Sequence, residues 1–335
     1  MLMEKGIITM LDHHESFDKG IAALREIGIE TIWEKEIIRS SRDPNVVIPQ
    51  VKGYDYVFAG GEIWNKEVFE ACPNLKLLVR LGVGYDGIDL KAASEAGVPV
   101  TFMRGVNASS VAELAVALML AVGRRIPQMN ALVHTGQRKQ AIYATNMLSG
   151  KTVGILGCGN IGKAVIRMLH GFGCRILAYD VFRDEAFAAE YGVEYVSLDA
   201  LLAQSDIVSV HLALLPETRH ILNADSIAKM KNGAIIINTS RGGIIDSQAL
   251  ADAIRCGKLG GAGLDVVEDE GGGNPCPGEI FYDLGNVILT PHVAGATHEC
   301  FDLMMEHAVE MVKDVQAGRD PKWLLNPDYR KYQQK

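Results

Sequence analysis

The sequence predicts an α/β protein built on two doubly wound parallel sheets, and three observations carry that prediction. Short apolar runs alternate with amphipathic helical stretches along most of the chain. A glycine loop stands in the middle of the chain rather than at its start, so an α/β region with a sheet of its own must precede it. At 335 residues the chain also exceeds the size at which a single core keeps growing.

Taken in order, Gly6 to Met10 reads as a strand, and Phe17, Ile21, Leu24 and Ile27 form a helical stripe behind the cap candidate Ser16. Ile29 to Trp33, Tyr56 to Phe58, Leu75 to Leu81 and Val98 to Phe102 are further strands, with helices at Asn65 to Ala71 and Leu90 to Ala96. Strands this short, separated by helices, need right-handed crossovers and hence a parallel sheet. Ser110 to Val122 is nearly all apolar apart from Glu113, which describes a helix buried on most of its surface, either inside a core or against a second subunit.

Thr152 to Leu156 is an apolar strand that runs into Gly157-Cys158-Gly159-Asn160-Ile161-Gly162. The helical stripe Ala164, Val165, Met168, Leu169 and Phe172 follows, then a strand from Arg175 to Tyr179 that ends on Asp180. The first glycine permits a tight turn, the second lets backbone approach a pyrophosphate, and the third packs helix on strand. The N–H groups of Asn160, Ile161 and Gly162 open a helix whose positive dipole end suits an anion. Asp180 lies 18 residues beyond Gly162, near the spacing of a carboxylate that binds an adenosine ribose, which favours NAD(H) over NADP(H). Cys158 reads as a small filler without a redox role.

Glu194 to Val196, Ile207 to Val210, Ala234 to Ile237, Gly263 to Val266 and Val287 to Leu289 bring the second sheet to six or more strands. Phe301, Met304, Met305, Ala308, Met311, Val312 and Val315 make one stripe on a last helix, which is expected to pack back on the first domain. The resulting expectation is one domain over 1–103 and 297–335, interrupted by a dinucleotide-binding domain over 104–296. The tail after Lys322 reads as an extended arm, and Gly271 to Pro275 as a flexible loop.

Composition narrows the class. With 48% hydrophobic and 22% charged residues, and no apolar stretch of membrane-spanning length, a soluble protein with no membrane partner is expected. The start lacks a secretory pattern, and six cysteines without metal or disulfide spacing fit reduced thiols in a cytoplasm and no metal site. A net charge of −8 and the lack of any long basic block argue against a nucleic-acid partner.

Open parallel sheets bind ligands beyond the carboxyl ends of their strands. There the sequence places Asn238-Thr239-Ser240-Arg241-Gly242-Gly243, then Asp265 with Glu268, Asp269 and Glu270 beyond it, then Thr290-Pro291-His292. An arginine grips a carboxylate with parallel hydrogen bonds, a histidine exchanges a proton near neutral pH, and an acid beside it tunes it. Together these groups suit proton-coupled hydride transfer.

These segments, with Arg80-Leu81-Gly82-Val83-Gly84-Tyr85-Asp86, Asn107, Ser110-Val111-Ala112-Glu113, Leu215-Pro216-Glu217-Thr218 and Gly263-Leu264-Asp265-Val266, resemble the D-2-hydroxyacid dehydrogenase family over almost the whole chain. The resemblance implies a Rossmann NAD-binding domain inserted into a flavodoxin-like substrate domain. It implies a homodimer built on the apolar segment after Asn107, and a cleft that closes about hinges near Phe102 to Asn107 and Ala294 to Thr297. Arg241 would orient a 2-oxo acid and His292 would exchange the proton at its oxygen. The acid five residues past Asp265, which is Glu270, would support the histidine, with Glu268 and Asp269 as near neighbours in the count. The backbone of Val83 and Gly84, with Asn107, would face the substrate, while Pro216, Thr218, Thr239 and Asp265 would line the cofactor.

Two departures bear on substrate. Phosphoglycerate-specific members carry an Arg-Ser pair where this chain has Phe58-Ala59-Gly60-Gly61-Glu62, so a phosphate would meet Glu62. The tryptophan-containing stretch before the glycine domain reads Gln137 to Tyr143 here without a tryptophan. The expected partner is thus a small 2-oxo or 2-hydroxy acid without phosphate. Alternatives are phosphoglycerate dehydrogenation, an NAD(H)-sensing dimer like the C-terminal-binding-protein co-repressors, and formate or phosphite oxidation.

Overall fold

The computed structural model describes residues 3–10, 13–33, 41–140, 144–268, 270 and 276–333. Asp269, the 271–275 loop and the end of the 137–143 stretch lie outside them. The chain forms two compact units, one of residues 1–107 with 296–335 and the other of residues 108–295, so the divisions fall at 107/108 and 295/296.

The first unit contains β1 (Glu4–Ile8), α1 (Glu15–Glu26), β2 (Ile29–Trp33), α2 (Pro44–Val51), β3 (Tyr56–Ala59), α3 (Lys66–Ala71), β4 (Leu77–Arg80), α4 (Leu90–Glu95) and β5 (Val100–Phe102). Its sheet is parallel in the order β2-β1-β3-β4-β5, the flavodoxin-like arrangement. Continuous apolar runs such as Tyr56-Val57-Phe58-Ala59, buried at every position, form strands covered on both faces.

The second unit contains α5 (Ala108–Gly123), α6 (Ile126–His134), β6 (Thr152–Leu156), α7 (Asn160–His170), β7 (Arg175–Tyr179), α8 (Glu185–Tyr191), β8 (Val193–Tyr195), α9 (Leu198–Gln204), β9 (Ile207–Val210), α10 (Ala224–Ala228), β10 (Ala234–Asn238), α11 (Ser247–Arg255), β11 (Leu259–Leu264) and β12 (Val287–Leu289). Seven parallel strands run β12-β11-β10-β9-β6-β7-β8. The connection from β6 winds to one side and that from β8 returns to the other, so β6 and β9 flank the switch point where such sheets bind ligands. Val111, Ala112, Ala115, Leu118, Met119 and Val122 of α5 are buried within this unit against α7, β10 and β11.

The chain then re-enters the first unit as α12 (His298–Gln316), whose Met304, Met305, Ala308, Met311 and Val312 join the core formed with Phe17, Leu24 and Leu77. The tail departs from the expected free arm. Leu325 N–H donates to Val100 O, Asn326 bonds Val100 N, Val98 O and Ser94 Oγ, and Tyr329 is buried ahead of α13 (Arg330–Gln333). One buried amide that satisfies three partners on the α4–β5 connection anchors a segment that is polar by composition.

β11 also departs from the reading, which began it at Gly263 and continued it to Val266. Leu259-Gly260-Gly261-Ala262 hides a strand because glycine has poor strand propensity. The structure needs it there: a Cβ on Gly261 would lie 2.3 Å from Asn286 O, so the neighbouring backbone can approach only a glycine. Asp265 consequently follows β11 instead of lying within it.

Candidate active site

At the end of β6 the backbone turns through Gly157 at φ 94°, and a Cβ there would lie 2.7 Å from His211 O at the end of β9. A Cβ on Gly162 would lie 2.1 Å from Gly157 O, so α7 packs directly on the loop, whereas a Cβ on Gly159 would meet nothing within 4 Å. The packing glycines are thus the first and third, and the middle one faces open space. Helices α8 to α12 begin on capping side chains, Asp184, Ser197, Asn223, Asp246 and Thr297, but α7 begins at Gly159 with no side-chain cap. The first-turn amides of Asn160, Ile161 and Gly162 therefore remain for an anion, and the cradle fits a dinucleotide pyrophosphate.

Asp180 lies at the end of β7, where one carboxylate oxygen accepts from Cys158 N at 2.6 Å and the other from Phe182 N at 2.9 Å. These bonds hold the carboxylate to the loop while further lone pairs remain for ribose hydroxyls. Burial pushes the Cys158 thiol pKa up, in keeping with an inert filler. The hydroxyl of Thr218 accepts from Leu215 N at 2.8 Å and donates to Ala213 O at 2.6 Å, shaping its own loop, and Pro216 is exposed on that loop. Thr239, just past β10, has a buried hydroxyl without a partner among the described residues.

Three adjacent strands carry the chemical groups. After β10, Asn238 accepts from Ser240 N and Oγ and donates to Arg241 O, folding the turn that sets Arg241. Arg241 Nη1 donates to Ser240 O at 2.8 Å. A Cβ on Gly242 would lie 2.1 Å from Val267 O, so only glycine lets this turn lie against the segment that leads to Glu270.

After β12, His292 stands in the left-handed region at φ 56°, its N–H directed to Asp265 O and Thr290 O. Its Nδ1 lies 2.8 Å from Glu270 Oε1, with side-chain exposures of 51% and 30%. That contact leaves Nε2 as the nitrogen open to a ligand. Glu268 instead accepts from His220 Nε2 at 2.5 Å and lies 3.7 Å from Arg219. The count to Glu270 is therefore the one the geometry supports, over Glu268.

The carboxylate of Asp265, assigned by resemblance to the cofactor, is 1% exposed and fully engaged with protein donors. Oδ1 accepts from Thr290 Oγ1 at 2.6 Å and Val293 N at 2.9 Å, and Oδ2 from Ala294 N at 2.9 Å. It braces the loop that presents His292, a role the sequence reading missed because it placed Asp265 inside a strand.

In the first unit, Arg80 shapes the loop after β4. Its Nε donates to Gly84 O at 2.8 Å and its Nη1 to Leu81 O at 2.6 Å, with Gly82 at φ 158° in contact with the guanidinium. The N–H groups of Val83 and Gly84 have no acceptor among the described residues. Asn107, the last residue before the second unit, has a buried Oδ1 without a partner among the described residues.

Glu62 is not where the sequence reading put it. It is 2% exposed, accepts from Thr9 Oγ1 at 2.7 Å and Trp64 Nε1 at 3.3 Å, and would not meet a phosphate at the surface. Burial pushes its carboxyl pKa up. His211, at the switch point, also passed unnoticed; the signal was its place directly after the apolar run Ile207 to Val210.

Residues 116–294 match the family model described as D-isomer specific 2-hydroxyacid dehydrogenase, NAD binding domain. The glyoxylate reductase of Korarchaeum cryptofilum is 39% identical over 317 residues, covering 93% of each chain. The hydroxypyruvate reductase of Thermotoga maritima is 44% identical over 236 residues, 70% of this chain and 75% of that one. Among solved structures, the D-lactate dehydrogenase of Aquifex aeolicus with NAD and lactic acid is 30% identical with a TM-score of 0.79, covering 94% of this chain and 96% of that chain. The chain belongs to the D-isomer specific 2-hydroxyacid dehydrogenases, NAD-dependent oxidoreductases that interconvert 2-oxo acids and D-2-hydroxy acids.

Proposed function

We propose that this protein reduces a small, unphosphorylated 2-oxo acid of the glyoxylate and hydroxypyruvate type to its D-2-hydroxy acid. The observation that carries the reading is the Glu270–His292 pair, 2.8 Å apart on the same sheet edge as an uncapped glycine-loop helix. Bound NADH supplies a hydride to the 2-carbon. Protonated His292 donates from Nε2 to the substrate oxygen as charge develops there, and Glu270 holds Nδ1 so that Nε2 keeps that orientation. Arg241 orients the acid through its guanidinium. The adenosine ribose is assigned to Asp180, whose charge opposes a 2′-phosphate.

The segment after β3 supports the absence of phosphate in the substrate, since Gly60-Gly61-Glu62-Ile63-Trp64 offers no cation and its one acid is buried. The test is NADH consumption with glyoxylate, hydroxypyruvate, pyruvate, oxaloacetate, branched 2-oxo acids and 3-phosphohydroxypyruvate. Glyoxylate or hydroxypyruvate should give the highest kcat/KM, and NADPH should serve less well than NADH. A preference for the phosphorylated acid would overturn the reading, and silence across all acids with intact NADH binding would favour a nucleotide-sensing binding protein.

A homodimer is part of this proposal, with its contact on α6 instead of α5. Ala112, Ala115, Leu118, Met119 and Val122 of α5 are buried in the core of their own unit, whereas α6 contributes no buried residue, and Ile126 and Val133 are 52% and 59% exposed. Met147 adds a further exposed apolar side chain to the same connection.

A further inference from the structure

We infer that His211 is a coenzyme-contacting residue, its Nδ1–H donating to a phosphate or ribose oxygen of the dinucleotide seated at the β6–β9 switch point. The inference rests on NAD(H) binding by the glycine loop and concerns a side chain outside that loop. His211 is the first residue beyond β9; its N–H donates to Leu156 O at 2.7 Å and its carbonyl lies against Gly157. The residue is thus locked to the turn on which the pyrophosphate is expected.

Its ring is half satisfied. Nε2 lies 2.9 Å from Ser209 Oγ, two residues back on the same strand face, and Ser209 is 0% exposed. Nδ1 is buried and has no hydrogen-bond partner among the described residues. Burial lowers the pKa of the imidazole to about 3, so the ring is neutral at working pH and carries one N–H. With the Ser209 hydroxyl donating to Nε2, that N–H sits on Nδ1. A buried donor without an acceptor is costly unless something supplies one, and the switch point is where a ligand rich in acceptor oxygens belongs.

The two amide replacements separate the ring nitrogens, since an asparagine amide nitrogen stands near Nδ1 and a glutamine amide nitrogen near Nε2. NADH and ADP-ribose affinities are measured by fluorescence and calorimetry on the whole protein. His211→Gln should raise the Kd for NADH about tenfold, the worth of one hydrogen bond, while His211→Asn stays within about threefold of wild type. A loss shared by ADP-ribose, which keeps both riboses and the pyrophosphate, places the acceptor on a phosphate or ribose oxygen, and a loss seen with NADH alone would place it on the nicotinamide and overturn the inference. Equal affinities for both variants and wild type would overturn the inference while leaving NADH binding intact, whereas failure of wild type to bind NADH would remove the coenzyme reading itself. Nitrogen NMR of the wild-type imidazole provides a readout independent of any variant: saturation with NAD⁺ should move the Nδ1 resonance of His211, and an unmoved resonance would overturn the inference.

Discussion

Asp265 shows how one buried carboxylate can hold a reactive group that it never touches with its side chain. It receives a hydroxyl and two amides from residues 290, 293 and 294, and its carbonyl receives His292 N–H. His292 is thereby kept at φ 56°, a conformation that most residues reach only at a cost. In Asp265→Asn an amide NH₂ replaces one of the accepting oxygens and faces a donor. The variant should lose about 1–3 kcal/mol of stability, the cost of leaving buried donors unpaired. Urea unfolding checks this, and an unchanged midpoint with full turnover would show that the loop does not depend on the carboxylate.

At the scale of elements, the connection between β3 and α3 hangs on Glu62, which links Thr9 at the end of β1 to Trp64. Its pKa is raised by burial, so the folded state holds the proton more tightly than the unfolded chain. The stability this contributes is complete below the ordinary glutamate value and is lost as pH rises through the folded value. Glu62→Gln, which cannot ionise, should therefore gain on wild type as pH rises from about 5 to about 8. Urea midpoints at the two pH values decide it, and a gap that is constant or shrinks would contradict the assignment.

Elements were legible where apolar runs were dense. Ile29 to Trp33, Thr152 to Leu156, Arg175 to Tyr179, Ile207 to Val210 and Val287 to Leu289 were read with the bounds observed. They were hidden where tertiary contacts override propensity. The glycines that begin β11 look unlike a strand until Asn286 lies against them, and α2 carries Pro44 and Pro49 in eight residues. The sequence also marked Glu270 and His292 as partners by spacing, but nothing local announced that Glu62 turns inward or that Asn326 docks the tail.

At the scale of the molecule, the groups proposed for proton transfer and nucleotide binding all lie in the 108–295 unit, which the chain enters and leaves once. The proton-transfer groups are set by the neighbouring strand ends β10, β11 and β12, and the nucleotide-binding groups by the loop after β6 and by the ends of β7 and β9. Light scattering on a sizing column should give a dimer, and Ile126→Glu with Val133→Glu should shift it towards monomer, since burying two unpaired charges in an apolar contact is unfavourable. A wild-type monomer, or a double variant that remains fully dimeric, would contradict the placement of the contact on α6.

The central claim is that His292, oriented by Glu270, gives the proton that accompanies hydride transfer. It is tested most directly in His292→Asn, because asparagine tolerates the left-handed backbone at this position and should leave the loop intact. With the 2-oxo acid that wild type reduces best, the variant's kcat should fall by about 10²–10⁴-fold while its Kd for NADH stays at the wild-type value. Turnover near the wild-type rate would contradict the account.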